Sequence, residues 1–170
     1  LQWLNQQYIQ NAGSIDLATK LEPFLIKEGI LNNQHGLSKE DIAKPIPSLN
    51  QRSQTLIEMA QKSAFYFKKE LTFDEKARDK FLNKDIQPHI EKLIIAINNI
   101  AMLEHDPLEN LFKKIAEEAG LKLGKLAQPV RVALTGSTAS PGIYDVILLL
   151  GKDTTLKRLN EAICFIEKKN

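Results

Sequence analysis

The stretch Gly124-Lys125-Leu126-Ala127-Gln128-Pro129-Val130-Arg131-Val132-Ala133-Leu134-Thr135-Gly136-Ser137-Thr138-Ala139-Ser140-Pro141-Gly142 decides how the chain is read. Gln128-Pro129 and Ser140-Pro141 each predict a helix start, because a proline in the first helical position gives up an N–H that has no intrahelical acceptor there. Gly136 predicts the stop between them. Two helix N-termini close together turn free backbone N–H groups into one small volume. Gln128 can donate to and accept from a base edge, and the planar fork of Arg131 can bond or stack on a base. Pro141 and Ile143 offer apolar surface to an unstacked base, the manner in which single-stranded RNA loops are gripped. The plain reading of the same residues is two capped helices with one surface Arg.

Helical patterns fill the rest of the chain, and the expected fold class is all-α. Leu1, Leu4, Tyr8 and Ile9 mark one face of a first helix that Gly13 ends, with Trp3 and Tyr8 as core anchors. Ser14 predicts the cap of a second helix carrying Leu17, Leu21, Phe24 and Leu25, closed by Lys27 and Gly29. Ser38 with Asp41 opens a short third helix that Pro45 and Pro47 stop. A long helix is expected over about residues 50–69, and Thr72 with Glu75 predicts a capping box for the next. Pro88 belongs to the first turn of a helix with an Ile90, Leu93, Ile94, Ile97 and Ile100 stripe. Asp106-Pro107-Leu108-Glu109 predicts another start with Asp106 as cap and Gly120 as its stop. Gly151 ends the helix opened at Pro141, and Asp153 caps a last one reaching about Lys168. The composition changes near Glu70 to Phe73, which divides the chain into two helical bundles, residues 1–70 and 71–170.

The 170 residues are 43% hydrophobic and 26% charged, enough to bury a core without disulfides. The single Cys164 lies among Ala162, Ile163, Phe165 and Ile166 and reads as apolar filler, with no neighbour to stabilise a thiolate. A net charge of +2 excludes a wholesale basic surface, so any nucleic-acid site must be a local patch. Lys113-Lys114, Lys122-Lys125 and Lys157-Arg158 are the small basic clusters. No apolar run reaches the roughly 20 residues of a membrane span, and no basic-then-apolar signal segment opens the chain. A start at Leu1, without Met and directly in helical pattern, reads as a piece of a longer protein. Enzymatic constellations are missing. His35, His89 and His105 lack metal-ligand partners at helical spacing, and there is no Gly-rich phosphate loop or nucleophile elbow.

Two blocks carry a family resemblance. Gly120-Leu121-Lys122-Leu123-Gly124 through Thr138, continued by Ser140-Pro141-Gly142-Ile143-Tyr144-Asp145-Val146 and Leu148-Leu149-Leu150-Gly151-Lys152, resembles the C-terminal block of bacterial glutamyl-tRNA synthetases. Leu1, Trp3, Leu4, Asn5, Tyr8 and Ile9 resemble the family's Leu-x-Trp-Leu-Asn-x-x-Tyr-Ile helix. The resemblance implies an all-helical anticodon-binding half that is itself non-catalytic. Its partners would be glutamate tRNA, held by the anticodon loop, and an upstream catalytic domain of the same chain, in a cytoplasmic monomer with no membrane contact. It implies no cofactor for this piece, while the parent ligase would use ATP and Mg. It assigns anticodon contacts to Gln128, Arg131, Ser140, Pro141 and Ile143. Lys113 stands where some relatives have Arg, which implies a phosphate contact, and Arg52 resembles the family Arg that separates the glutamate from the glutamine anticodon. The alternative class is a stand-alone helical protein-interaction module without an RNA ligand.

Overall fold

The computed structural model describes the backbone of residues 2–169 and the side chains of residues 7–169. Helices and their connections account for all of it, with no strand among the described residues. The chain divides into two compact units, one up to Glu70 and one from Leu71 onward.

The first unit holds α1 (Gln2–Asn11), α2 (Ser14–Lys27), α3 (Lys39–Ala43), α4 (Ile46–Leu49), a 3₁₀ turn at Asn50–Arg52, and α5 (Leu56–Phe67). Leu17, Leu21 and Leu25 repeat every four residues along α2, and they bury against Ile42, Ile46, Leu49 and Met59 from the helices that follow. The Ser38–Asp41 capping box forms as the sequence predicts, each side chain bonding the other's backbone N–H. Ser14 is not a cap, because extended Gly13 takes that position. The long helix expected from residue 50 is also interrupted. Ser53 is extended, and α5 begins only where the Thr55 hydroxyl accepts from the Glu58 N–H at 3.1 Å while Glu58 Oε2 accepts from the Gln54 N–H at 2.8 Å. Tyr8 is 39% exposed rather than a core anchor, and its hydroxyl bonds Asp16 and Lys20 on α2. The Trp3 and Leu4 side chains, and Leu1, lie outside the described residues.

The second unit holds α6 (Glu75–Phe81), α7 (Gln87–Asn99), α8 (His105–Glu118), α9 (Leu123–Thr135) and α10 (Ile143–Lys168). α10 packs on α7 and α9, and α6 packs on α9. Pro88 sits in the first turn of α7 as expected. Asp74, not Thr72, caps α6 by accepting from the Ala77 N–H at 3.1 Å. α8 starts at His105, so Asp106 lies within its first turn instead of capping it.

The largest departure is in α9. Pro129 does not open a helix but lies inside one that began at Leu123. Leu126, Val130, Ala133 and Leu134 form one buried stripe, and burying it outweighs the hydrogen bond that proline deletes. α10 likewise starts after Pro141, with Gly142 as its cap, and it breaks at Gly151, where φ is 74°. Cys164 is exposed on α10, which corrects the filler reading.

Gly136 ends α9 at φ 76°, and its N–H donates to the Val132 carbonyl at 2.8 Å. Its own carbonyl accepts from the Asp74 N–H at 2.8 Å, fastening the segment before α6 to the end of α9. A Cβ placed here would lie 2.3 Å from the Thr72 carbonyl oxygen. The position therefore needs glycine for its dihedral angles and for its lack of volume. Gly120, at φ 64°, needs it for the angles alone, since nothing lies within 4 Å of a Cβ there. Gly120→Ala is expected to cost about 1 kcal/mol in a urea melt, and Gly136→Ala more than about 2 kcal/mol. Equal costs would show that the Thr72 approach is not a tight constraint.

Candidate nucleic-acid interface

The loop from Ser137 to Gly142 joins α9 to α10, and α9 side chains hold it in place. Arg131 is half-buried two turns into α9, and its Nη1 donates to the Ser140 hydroxyl at 2.6 Å, the Pro141 carbonyl at 2.8 Å and the Ser140 carbonyl at 3.3 Å. One turn earlier, Gln128 Nε2 donates to the Thr138 carbonyl at 3.0 Å. The Thr135 hydroxyl donates to the Arg131 and Ser137 carbonyls at 2.8 and 3.1 Å, closing the start of the loop. Arg158 supports the platform beneath. Only 4% exposed, it donates from Nη1 to the Leu134 carbonyl at 2.7 Å, and burial lowers its pKa.

Gln128, Arg131 and Ser140 are thus brought together, as the sequence predicts, but through bonds among themselves and the loop. Pro141 is buried and Ile143 is 6% exposed, so neither offers apolar surface. They anchor the loop to the core. Thr138 and Ala139 form its exposed crest.

A cleft of about 330 Å³ opens beside Gln128, between the first turns of α9 and the α6–α7 connection. Lys80 and Lys125 line it, both exposed and in no ion pair among the described residues. Sequence reasoning missed this cleft. Lys125 stood out only as part of a basic cluster, and Lys80 and His89 carried no signal, because the cleft is assembled from segments about forty residues apart.

Lys113 lies on α8, where its Nζ pairs with Glu109 at 2.7 Å. The same hydrogen bond raises the Lys113 pKa and lowers that of Glu109. Tyr144, on the first turn of α10, packs edge-on against Phe112 and His105 at ring distances of 5.4 and 5.0 Å, and burial raises its pKa. His105 does have partners at helical spacing, contrary to expectation. Its ring, Asp106 and Glu109 bring ligand atoms within 4.8 Å of one another. Lys113 already occupies Glu109 there, and the helix N-terminus disfavours a cation. Arg52 ends the 3₁₀ turn of the first unit and is exposed.

The all-helical second unit thus carries a side-chain-clamped loop beside a cleft with two lysines in its wall. The model of the anticodon binding domain matches residues 16–163, and the chain belongs to that family. It is 42% identical over 98% of its length to glutamate–tRNA ligase of Syntrophobacter fumaroxidans, and 40% identical over 99% to that of Geotalea uraniireducens. It spans about a third of each relative, 35% of their length. A crystal structure of a glutamate tRNA ligase from Elizabethkingia meningosepticum, in complex with its amino acid, matches 97% of this chain and 32% of that one, at 26% identity and a TM-score of 0.80.

The clamp carries a measurable load. A hydrogen bond from a charged donor is worth about 1.5–3 kcal/mol and a neutral one about 1 kcal/mol. Arg131→Ala should lower stability by the larger amount and Gln128→Ala by the smaller, with amide shift changes spread over residues 137–142. Unchanged loop amides in Arg131→Ala would mean that the loop holds itself.

Proposed function

We propose that the chain is the anticodon-reading part of a glutamate–tRNA ligase, forming a C-terminal portion of the longer enzyme. The observation that carries the reading is that Gln128 and Arg131 fix the 137–142 loop directly beside a cleft bearing two lysines that are in no ion pair among the described residues. Rigid presentation of polar groups next to cations is what recognition of an unstacked RNA loop requires, since phosphate contacts position the strand and edge contacts specify it. The family match and the glutamate–tRNA ligase relatives support the same reading.

In this proposal Gln128, Arg131 and Ser140 meet base edges, with Pro141 and Ile143 acting as the buried footing of the loop. Lys113 meets a phosphate once it exchanges Glu109 for it. Arg52, in the other unit, reads a base. Binding energy gathered here helps to position the acceptor end of glutamate tRNA in a catalytic domain of the longer chain, where ATP and Mg would be used. The protein works as a monomer in the cytoplasm. No helix among the described residues is long and apolar enough to cross a membrane.

Filter binding of anticodon stem-loops at two salt concentrations tests the proposal. The expected result is a salt slope together with a preference for the glutamate anticodon. Arg52 is the cleanest base-reading variant, because its side chain holds nothing else among the described residues. Arg52→Ala should cost about 1–3 kcal/mol and relax selectivity at one anticodon position. A helical protein-interaction module would show neither a salt slope nor a loop preference.

A further inference from the structure

We infer that the cleft beside Gln128 is a pocket for a single unpaired nucleotide of the RNA loop, with Lys80 and Lys125 meeting its phosphate and Phe81 and Leu121 meeting its base. The inference rests on the anticodon-reading function and assigns that function's ligand a definite seat.

Three properties of the cleft point to a nucleotide. The first is size: about 330 Å³ lies at the small end of ligand pockets, suited to one nucleotide and not to a helix or a peptide strand. The second is its mixed lining. Phe81 and Leu121, both partly exposed, supply flat and aliphatic surface of the kind base faces stack on, over a floor of buried Ile86 and Pro129, while the two lysines supply the charge a phosphate needs. Asp85 is the one carboxylate in the lining, so the cleft keeps an excess of positive charge. The Asn83 side-chain carbonyl oxygen is already committed to the Asp85 and Ile86 N–H groups at 3.1 and 3.3 Å, which fixes the α6–α7 connection instead of leaving it to adapt.

The third property is unused hydrogen-bonding capacity. His89 lines the cleft, and its Nδ1 is buried with no hydrogen-bond partner among the described residues. Gln128 spends its NH₂ on the Thr138 carbonyl, so its amide oxygen is directed as an acceptor from a fixed position. The same Gln128 belongs to the loop clamp and to the cleft, so a base seated here is continuous with bases read at the 137–142 loop. The larger groove of about 550 Å³ between α7 and α8 has no such link to the loop.

Gly124 allows a clean test. It is exposed on the first turn of α9, lines the cleft, and a Cβ added to it would meet nothing within 4 Å, so Gly124→Phe fills the cleft without entering the core. The 170-residue chain is titrated with glutamate anticodon stem-loops carrying an abasic residue at each loop position in turn. With the unsubstituted chain, one abasic position should weaken binding about tenfold, the loss of one stacked base. In Gly124→Phe the intact loop should bind about tenfold more weakly, and that abasic position should no longer matter. Lys80→Ala and Lys125→Ala should each lower the salt slope by about one. A folded Gly124→Phe that binds normally and keeps the same abasic penalty overturns the inference while leaving anticodon reading intact, as do unchanged salt slopes in both lysine variants. If the unsubstituted chain shows no preference among loops, anticodon reading itself fails, and the nucleotide pocket with it.

Discussion

Gly136 lets the Thr72 carbonyl stand where any other residue would have a side chain. Its left-handed turn ends α9, and its carbonyl takes the Asp74 N–H, so the segment leading into α6 is pinned to the point where the 137–142 loop begins. α6 carries Lys80 and Phe81 at its far end, and α9 carries Lys125 and Gln128. This contact fixes one end of the α6–α9 packing, and the cleft lies at the other. Just past Gly136, the loop runs through Ser140 to Gly142 under the control of Arg131. One close backbone approach thus joins the start of α6 to the point where the loop departs.

Arg131 has a different place from the one a surface reading gives it. A guanidinium at a helix start suggests a group held out to a ligand. Here its Nη1 is turned onto the Ser140 hydroxyl and two loop carbonyls, so part of its capacity goes into shaping the loop. This follows from the cost of leaving backbone carbonyls unsatisfied in a short, partly buried loop. It also accounts for Pro141 and Ile143, which sit below the surface and hold the loop's far end against the core. What this part of the surface presents is then the exposed crest and the cleft edge, not the prolines themselves.

Much of the fold is legible in the sequence because its signals are local. Ser38 with Asp41, Pro88, Gly120 and Gly136 act within one turn of themselves, and each does what its chemistry predicts. Thr55 with Glu58 is an equally local capping pair, and it explains why the helix expected from residue 50 starts late; the apolar run around the pair masks it. Pro129 departs from expectation for a non-local reason. Its helix survives because Leu126, Val130, Ala133 and Leu134 bury together, which a proline rule cannot foresee. For the site, the residues of the loop are visible as a group. Their hydrogen bonds are not, nor is the cleft, since Lys80, Asp85 and His89 meet Lys125 and Gln128 only through the packing of α6 and α7 on the rest of the unit.

The central claim is that RNA loop recognition is seated on the loop after α9 and the cleft next to it. Titration of the ¹⁵N-labelled chain with a glutamate anticodon stem-loop tests this most directly. The account predicts amide shift changes concentrated at residues 80–89, 124–131 and 137–142, with a further set around Arg52. Changes confined to the α7–α8 groove around Ile95 and Leu111, or no changes at all, would contradict it.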